Sequence, residues 1–136
     1  MPLTYRYFGF GIGLIIIDQL VKLWATTHAQ VFRNYQFAFS LPLPPVVMYF
    51  VYALILGVII WYVKVHYRQF SELEGGAWLM IAAGAISNIG ERLFTGYVKD
   101  FIYLWNGVFN LADFYILLGI ILLFIVRGKI KHPAKI

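Results

Sequence analysis

The chain has 136 residues, 62% of them hydrophobic and only 12% charged, with a mean hydropathy of +0.78. A soluble domain of this length needs far more polar surface, so composition selects an integral membrane protein, expected as one domain over residues 1–136. The absence of cysteine excludes disulfides, thiol catalysis and cysteine metal sites, and the net charge of +5 is spread through connections and tails rather than gathered for nucleic acid.

Four apolar segments follow in order, over about residues 7–25, 44–65, 75–92 and 108–126. At about 1.5 Å rise per residue, roughly 20 residues cross a bilayer core, so the expected fold is an all-α membrane bundle of four transmembrane helices. The first segment is interrupted by Asp18, Gln19 and Lys22, which argues for a retained helix rather than a cleaved signal peptide. The second has no ionisable residue before Lys64, as suits a structural, lipid-facing helix. The third is rich in small residues (Gly75, Gly76, Ala77, Ala82, Ala83, Gly84, Ala85) and is expected at the bundle centre, where backbones approach closely. The fourth carries Asn110 and Asp113 in its first turns.

Arg6, Lys64, Arg68, Arg127, Lys129, Lys131 and Lys135 place seven cations at the ends and middle connection, against Lys22, Arg33, Arg92 and Lys99 on the other side. That bias predicts both termini in the cytoplasm. Of six acidic residues, Asp18, Glu91, Asp100 and Asp113 then lie in or beside apolar segments toward the external side. An ionisable group at membrane depth is costly unless paired or hydrated, so each is a candidate functional residue. His28, His66 and His132 have no ligand-like spacing; no metal site and no cofactor are expected.

Spacing gives the acids provisional roles. Asp18 and Lys22 stand four residues apart on one helix face and read as a buried ion pair, with Asp18 also able to brace a neighbouring helix. Asn88 with Arg92, and Ser87 with Glu91, repeat that spacing where the third helix turns polar. Arg92 reads either as a side chain snorkelling to headgroups or as a fixed guanidinium holding a substrate carbonyl or the backbone of a binding loop. Asn110 and Asp113 suit a helix cap and a charge near a helix N-terminus. That leaves Asp100 unexplained, in a short aromatic stretch on the near side of Asp113. Two adjacent carboxylates share a proton: the ionised one can deprotonate water while the neutral one hydrogen-bonds a scissile carbonyl.

Taken in order, these residues resemble the lipoprotein signal peptidase (signal peptidase II) family. Asp18-Gln19-Leu20-Val21-Lys22 is similar to its D-Q-x-x-K motif, and Asn34-Tyr35-Gln36-Phe37-Ala38-Phe39 to N-x-G-x-A-F. The stretch from Gly84 through Asn88 to Glu91-Arg92 is similar to G-A-x-x-N-x-x-D-R. Val98-Lys99-Asp100-Phe101-Ile102 is similar to V-x-D-F-I, and Phe109-Asn110-Leu111-Ala112-Asp113 to F-N-x-A-D. The resemblance implies Asp100 and Asp113 as a catalytic aspartate dyad. It implies that Asn34, Asn88, Glu91, Arg92 and Asn110 bind substrate or brace the site, and that Asp18 and Lys22 are structural. The implied substrate is a diacylglyceryl-modified prolipoprotein, cleaved before its lipidated cysteine by a monomeric, multi-pass enzyme of the bacterial cytoplasmic (inner) membrane. Its active site would face the outside, under a small external substrate-covering segment, with membrane lipids and no nucleic acid as further partners.

Three departures stand out. Glu91 replaces the family Asp, and Gln36 replaces a glycine. Only 11 residues separate Lys22 from Asn34, and the stretch between Asp100 and Asp113 is also short, as in a pared-down member. The competing expectations are a catalytically silent relative that binds lipidated peptides, and a proton-coupled carrier using Asp18, Glu91 and Asp113 as a relay. The carrier lacks the internal repeat such proteins show.

Overall fold

A computed structural model describes residues 3–36 and 42–130, with side chains over 8–36 and 42–128. Ala38, Phe39, Lys131, His132 and Lys135 lie outside those residues, as do the side chains of Arg6 and Lys129. The protein is mostly helical. Helix α1 (Leu3–His28) buries Gly11, Asp18, Lys22 and Ala25 along one face while Ile16, Ile17, Leu20 and Leu23 point outward. A polar stripe inside and an apolar face outside is the arrangement a bilayer selects. Helix α2 (Pro45–His66) starts with proline in its first turn, where no N–H is needed, and buries only Met48.

A 3-10 turn (Tyr67–Gln69) leads to helix α3 (Glu72–Thr95), opened by a reciprocal cap. Ser71 Oγ accepts from the Glu74 N–H at 3.2 Å, and Glu74 Oε2 accepts from the Ser71 N–H at 3.0 Å. This cap starts the helix three residues before the apolar pattern does, since the sequence reading began it at Gly75. Gly96 closes it in the left-handed region at φ 83°, returning its N–H to Arg92 O.

Helix α4 (Leu111–Ile130) lies against α3 along a seam of small residues. A Cβ on Gly84 would strike the Ala112 carbonyl oxygen and Ile116, and one on Gly119 would sit 2.6 Å from Ala77 O and 2.7 Å from Ile81 Cγ1. Among the described residues, three helical stretches, Phe8–His28, Pro45–Gln69 and Leu111–Gly128, are long and apolar enough to cross a membrane; α3 carries Glu72, Glu74, Glu91 and Arg92 and falls below that standard.

Outside the helices of this mostly helical fold, the connections pair as short ribbons. Strand β1 (Phe32–Asn34) runs antiparallel to β2 (Val98–Asp100), with Phe32 opposite Asp100, Arg33 opposite Lys99 and Asn34 opposite Val98. Strands β3 (Ile102–Leu104) and β4 (Gly107–Phe109) form a hairpin whose tip residue, Trp105, is fully exposed at φ 46°. Pairing of Val108 with Tyr103 holds the chain extended there, so α4 starts at Leu111 rather than at 108.

The seam predicts a contrast between glycines. Gly84→Ala and Gly119→Ala each push a methyl into a backbone carbonyl that cannot move aside, and should destabilise by about 1–3 kcal/mol. Gly76→Ala meets nothing within 4 Å and should be neutral or stabilising by roughly 0.5–1 kcal/mol. Thermal unfolding of the three purified variants in one detergent reads the difference; equal behaviour would mean the helices are not so close.

Candidate active site

Asp100 ends β2 and is 2% exposed. Its Oδ1 accepts from Asn110 Nδ2 at 2.7 Å and its Oδ2 from Asn34 Nδ2 at 3.0 Å. Asp113 lies in the first turn of α4, where its Oδ2 accepts from the Asn110 N–H at 3.0 Å and its Oδ1 from Asn88 Nδ2 at 2.9 Å. Asn110 completes the cap, its Oδ1 accepting from the Asp113 N–H at 3.1 Å. Asn110 therefore touches both carboxyl groups, one through its side chain and one through its backbone. Burial pushes the Asp100 carboxyl up to about 6, against the pull of the Asn110 and Asn34 amides; the neighbouring Asp113 adds to the rise and Lys22 opposes it.

Beneath the two aspartates runs a buried chain of charges. Lys22 Nζ lies 2.8 Å from Asp18 Oδ2, 2.8 Å from Glu91 Oε2 and 2.8 Å from Asn88 Oδ1. Asp18 also accepts from Ser87 Oγ at 2.6 Å and, through Oδ1, from the Ala112 N–H at 2.9 Å. The latter is one of the N–H groups left over in the first turn of α4. Glu91 continues the chain to Lys99 on β2 at 3.0 Å. Asp18 and Lys22 thus meet each other and also brace α3 and α4.

Ser87, Asn88, Glu91 and Arg92 find partners on other elements. Arg92 is 4% exposed, so its guanidinium does not reach out to headgroups. Nη1 donates to Tyr52 Oη at 2.6 Å, and Nη2 to Gln36 O at 2.8 Å and Asn34 O at 3.3 Å. The buried Nε has no partner among the described residues. Asn34 Oδ1 in turn accepts from the Gln36 N–H at 3.0 Å, shaping the turn after β1. Gln36 does not adopt a positive φ, so the missing glycine costs nothing in backbone strain.

All nine residues singled out from the sequence fall in this one region, and several partners were missed. Ser87 and Gln19 join Asp18, with Gln19 Nε2 donating to Ser87 Oγ at 3.0 Å. The available signals were the specified position of Gln19 in D-Q-x-x-K and the place of Ser87 where the third helix turns polar. Tyr52 on apolar α2 and Lys99 at an unspecified motif position gave none. Among the described residues, no group of three His, Asp or Glu side chains is arranged to hold a metal.

The family model described as "Signal peptidase (SPase) II" matches residues 11–127. The lipoprotein signal peptidase of Streptococcus agalactiae serotype V is 32% identical over 87% of this chain and 88% of its own length. That of Geobacillus thermodenitrificans is 33% identical over 98% and 82%. That of Fusobacterium nucleatum is 38% identical over 52% of this chain and 44% of its own length. Among solved structures, a bacterial membrane enzyme determined by the in meso method at 2.3 Å resolution superposes with a TM-score of 0.81. It covers 98% of this chain and 96% of its own at 22% identity, a likeness of fold alone. With the family model spanning most of its length, the chain belongs to the signal peptidase II family, and it is a multi-pass membrane peptidase.

Proposed function

We propose that the protein is an aspartic endopeptidase that removes signal peptides from diacylglyceryl-modified prolipoproteins, cutting before the lipidated cysteine. The observation that carries this reading is Asn110, one residue holding two carboxyl groups, the buried Asp100 of β2 and the half-buried Asp113 of α4, in a single site. With one proton between Asp100 and Asp113, the ionised carboxylate takes a proton from water as its oxygen attacks the scissile carbonyl. The protonated partner gives its proton to the carbonyl oxygen. Collapse of the tetrahedral intermediate breaks the C–N bond and returns a proton to the leaving amine. The relatives' name, lipoprotein signal peptidase, supports the substrate class.

The same reading makes α3 a fourth transmembrane helix, shielded from lipid by α1 and α4, with both termini in the cytoplasm of a bacterial inner membrane. Lys22 and Arg92 are buried, which leaves Arg33 and Lys99 as the outer cations and sharpens the inward bias of positive charge. The ribbon, hairpin and site then face outward, and a single chain completes the site.

Asp100→Asn and Asp113→Asn should each lower the cleavage rate of a purified lipidated proprotein at least about a hundredfold. Both should elute and show helical circular dichroism as the wild type does. Substantial turnover by either variant removes that residue from the chemistry.

The raised Asp100 pKa also sets a stability profile. A carboxyl whose folded pKa lies above its ordinary 3.8 stabilises the fold fully below that value, and the stabilisation is lost as pH rises through about 6. The whole swing is roughly 3 kcal/mol at most. Wild type minus Asp100→Asn should therefore show a stability difference that falls between about pH 4 and 7 and is flat above; a flat difference throughout contradicts the buried, raised carboxyl.

Glu91 spans two lysines, at 2.8 and 3.0 Å. Glu91→Asp retracts the carboxylate by one methylene, so it should keep partial activity and lose stability. Glu91→Gln should lose more stability, because Lys22 and Lys99 are then left with one carboxylate, Asp18, and the buried chain carries an uncompensated positive charge. Loss of all activity in folded Glu91→Gln, with Asp100→Asn still active, would move the catalytic role from Asp100 to Glu91.

A further inference from the structure

The outer face of the β1–β2 ribbon carries a feature the peptidase reading does not use. Asp100 and Val98 are buried, while Lys99 between them is partly exposed and stands directly opposite Arg33 on β1, its ammonium also reaching Glu91 at 3.0 Å. Like charges opposite one another across a ribbon are destabilising. The two border a cleft of about 250 Å³ completed by Tyr97 and, from the end of α1 and the chain beyond it, by Thr26, Ala29 and Val31.

The charges here do not balance internally. Asp18, Lys22, Glu91 and Lys99 form an alternating chain of two anions and two cations, neutral as a set. Arg33 lies outside it: its guanidinium rests 5.2 Å above the Tyr97 ring, and no carboxylate is within ion-pair distance among the described residues. The cleft is therefore one positive charge in excess, with a planar fork and an ammonium side by side in its lining, a pairing suited to a phosphate group. A singly charged phosphodiester balances that excess; a phosphomonoester overshoots it.

Its position indicates the source. The turn of α1 preceding the cleft bears Leu23 and Trp24, 64% and 56% exposed, and tryptophan gathers at the level where acyl chains give way to headgroups. Thr26 and Ala29 come next along the chain, where the proposed orientation puts the headgroups.

We propose that this cleft binds the phosphodiester headgroup of an anionic membrane glycerophospholipid, held between Arg33 and Lys99. The placement rests on the outward-facing orientation proposed above, but binding itself does not require the peptidase chemistry. An occupied cleft relieves the Arg33–Lys99 repulsion and stiffens the ribbon that ends at Asp100.

Delipidated protein in a neutral detergent should show a saturable rise in Tm on titration with dihexanoylphosphatidylglycerol. Dioctanoylglycerol, which lacks the phosphate, should leave Tm unchanged. Arg33→Gln should weaken the apparent affinity about tenfold or more, the loss of one charge-assisted contact, and Arg33→Lys should restore part of it. Lys99→Gln is less decisive because it also releases Glu91. Equal shifts for wild type and Arg33→Gln, or no saturable shift, overturn the proposal. If inorganic phosphate reproduces the shift at the same concentrations, the site is one for free phosphate, and the lipid assignment falls. Lipid binding that persists in an uncleaving Asp100→Asn variant supports the cleft independently of the peptidase reading.

Discussion

The buried ammonium of Lys22 organises the polar interior. An uncompensated charge in such a place costs several kcal/mol, and this one is fully buried. Its ammonium lies 2.8 Å from each of three oxygen acceptors, pairing ionically with the Asp18 and Glu91 carboxylates and donating a hydrogen bond to Asn88 Oδ1. Each acceptor then leads to an element that carries the site. Asp18 holds the first turn of α4, Asn88 reaches Asp113, and Glu91 ties down β2 beside Asp100. Because an ammonium only donates, it turns the Asn88 carbonyl toward itself and so aims the Asn88 NH₂ at Asp113. One cation on α1 thus fixes the polarity of a hydrogen bond on the far side of α3.

The two aspartates are held by amides rather than by cations. Asn34 and Asn110 donate to Asp100, and Asn88 and the Asn110 backbone to Asp113. A direct salt bridge would pin either carboxylate in its ionised form, which suits a structural acid but not a pair that must pass a proton. Neutral donors orient the oxygens while leaving protonation responsive to burial, which is why the Asp100 carboxyl rises instead of falling. The helix cap found at Asn110 and Asp113 and the active-site reading are therefore compatible: the cap sets the position of the acid.

The sequence displayed the helices because apolar runs and their interruptions are local signals. It also displayed Asp18, Asn88, Asp100 and Asp113, since ionisable or amide groups in such runs are rare enough to stand out. The α3 boundary was legible as well: Ser71 and Glu74 are a capping pair, and weighting the apolar pattern alone placed the helix start too late. The ribbons were not legible. Strands of three residues have no periodicity to detect, and β1 meets β2 across 66 residues of chain, as the Asn34–Asp100 hydrogen bond records. Tyr52 was invisible for the same reason, being one aromatic among many until the fold sets its hydroxyl against Arg92.

Glu91 ties α3 to two other elements at once. Its two carboxylate oxygens face different lysines, one on α1 and one on β2. A shorter aspartate on the same α3 backbone stops about one methylene, roughly 1.5 Å, nearer the helix and cannot hold both at these distances. The ribbon that Lys99 belongs to has only three residues in each strand, so few backbone hydrogen bonds secure it. A short ribbon therefore depends more on side-chain ties, and Arg92, gripping the Asn34 and Gln36 carbonyls, supplies the second tie to the opposite strand. Adjacent residues of α3 thereby secure the two strands separately, Glu91 through β2 and Arg92 through β1.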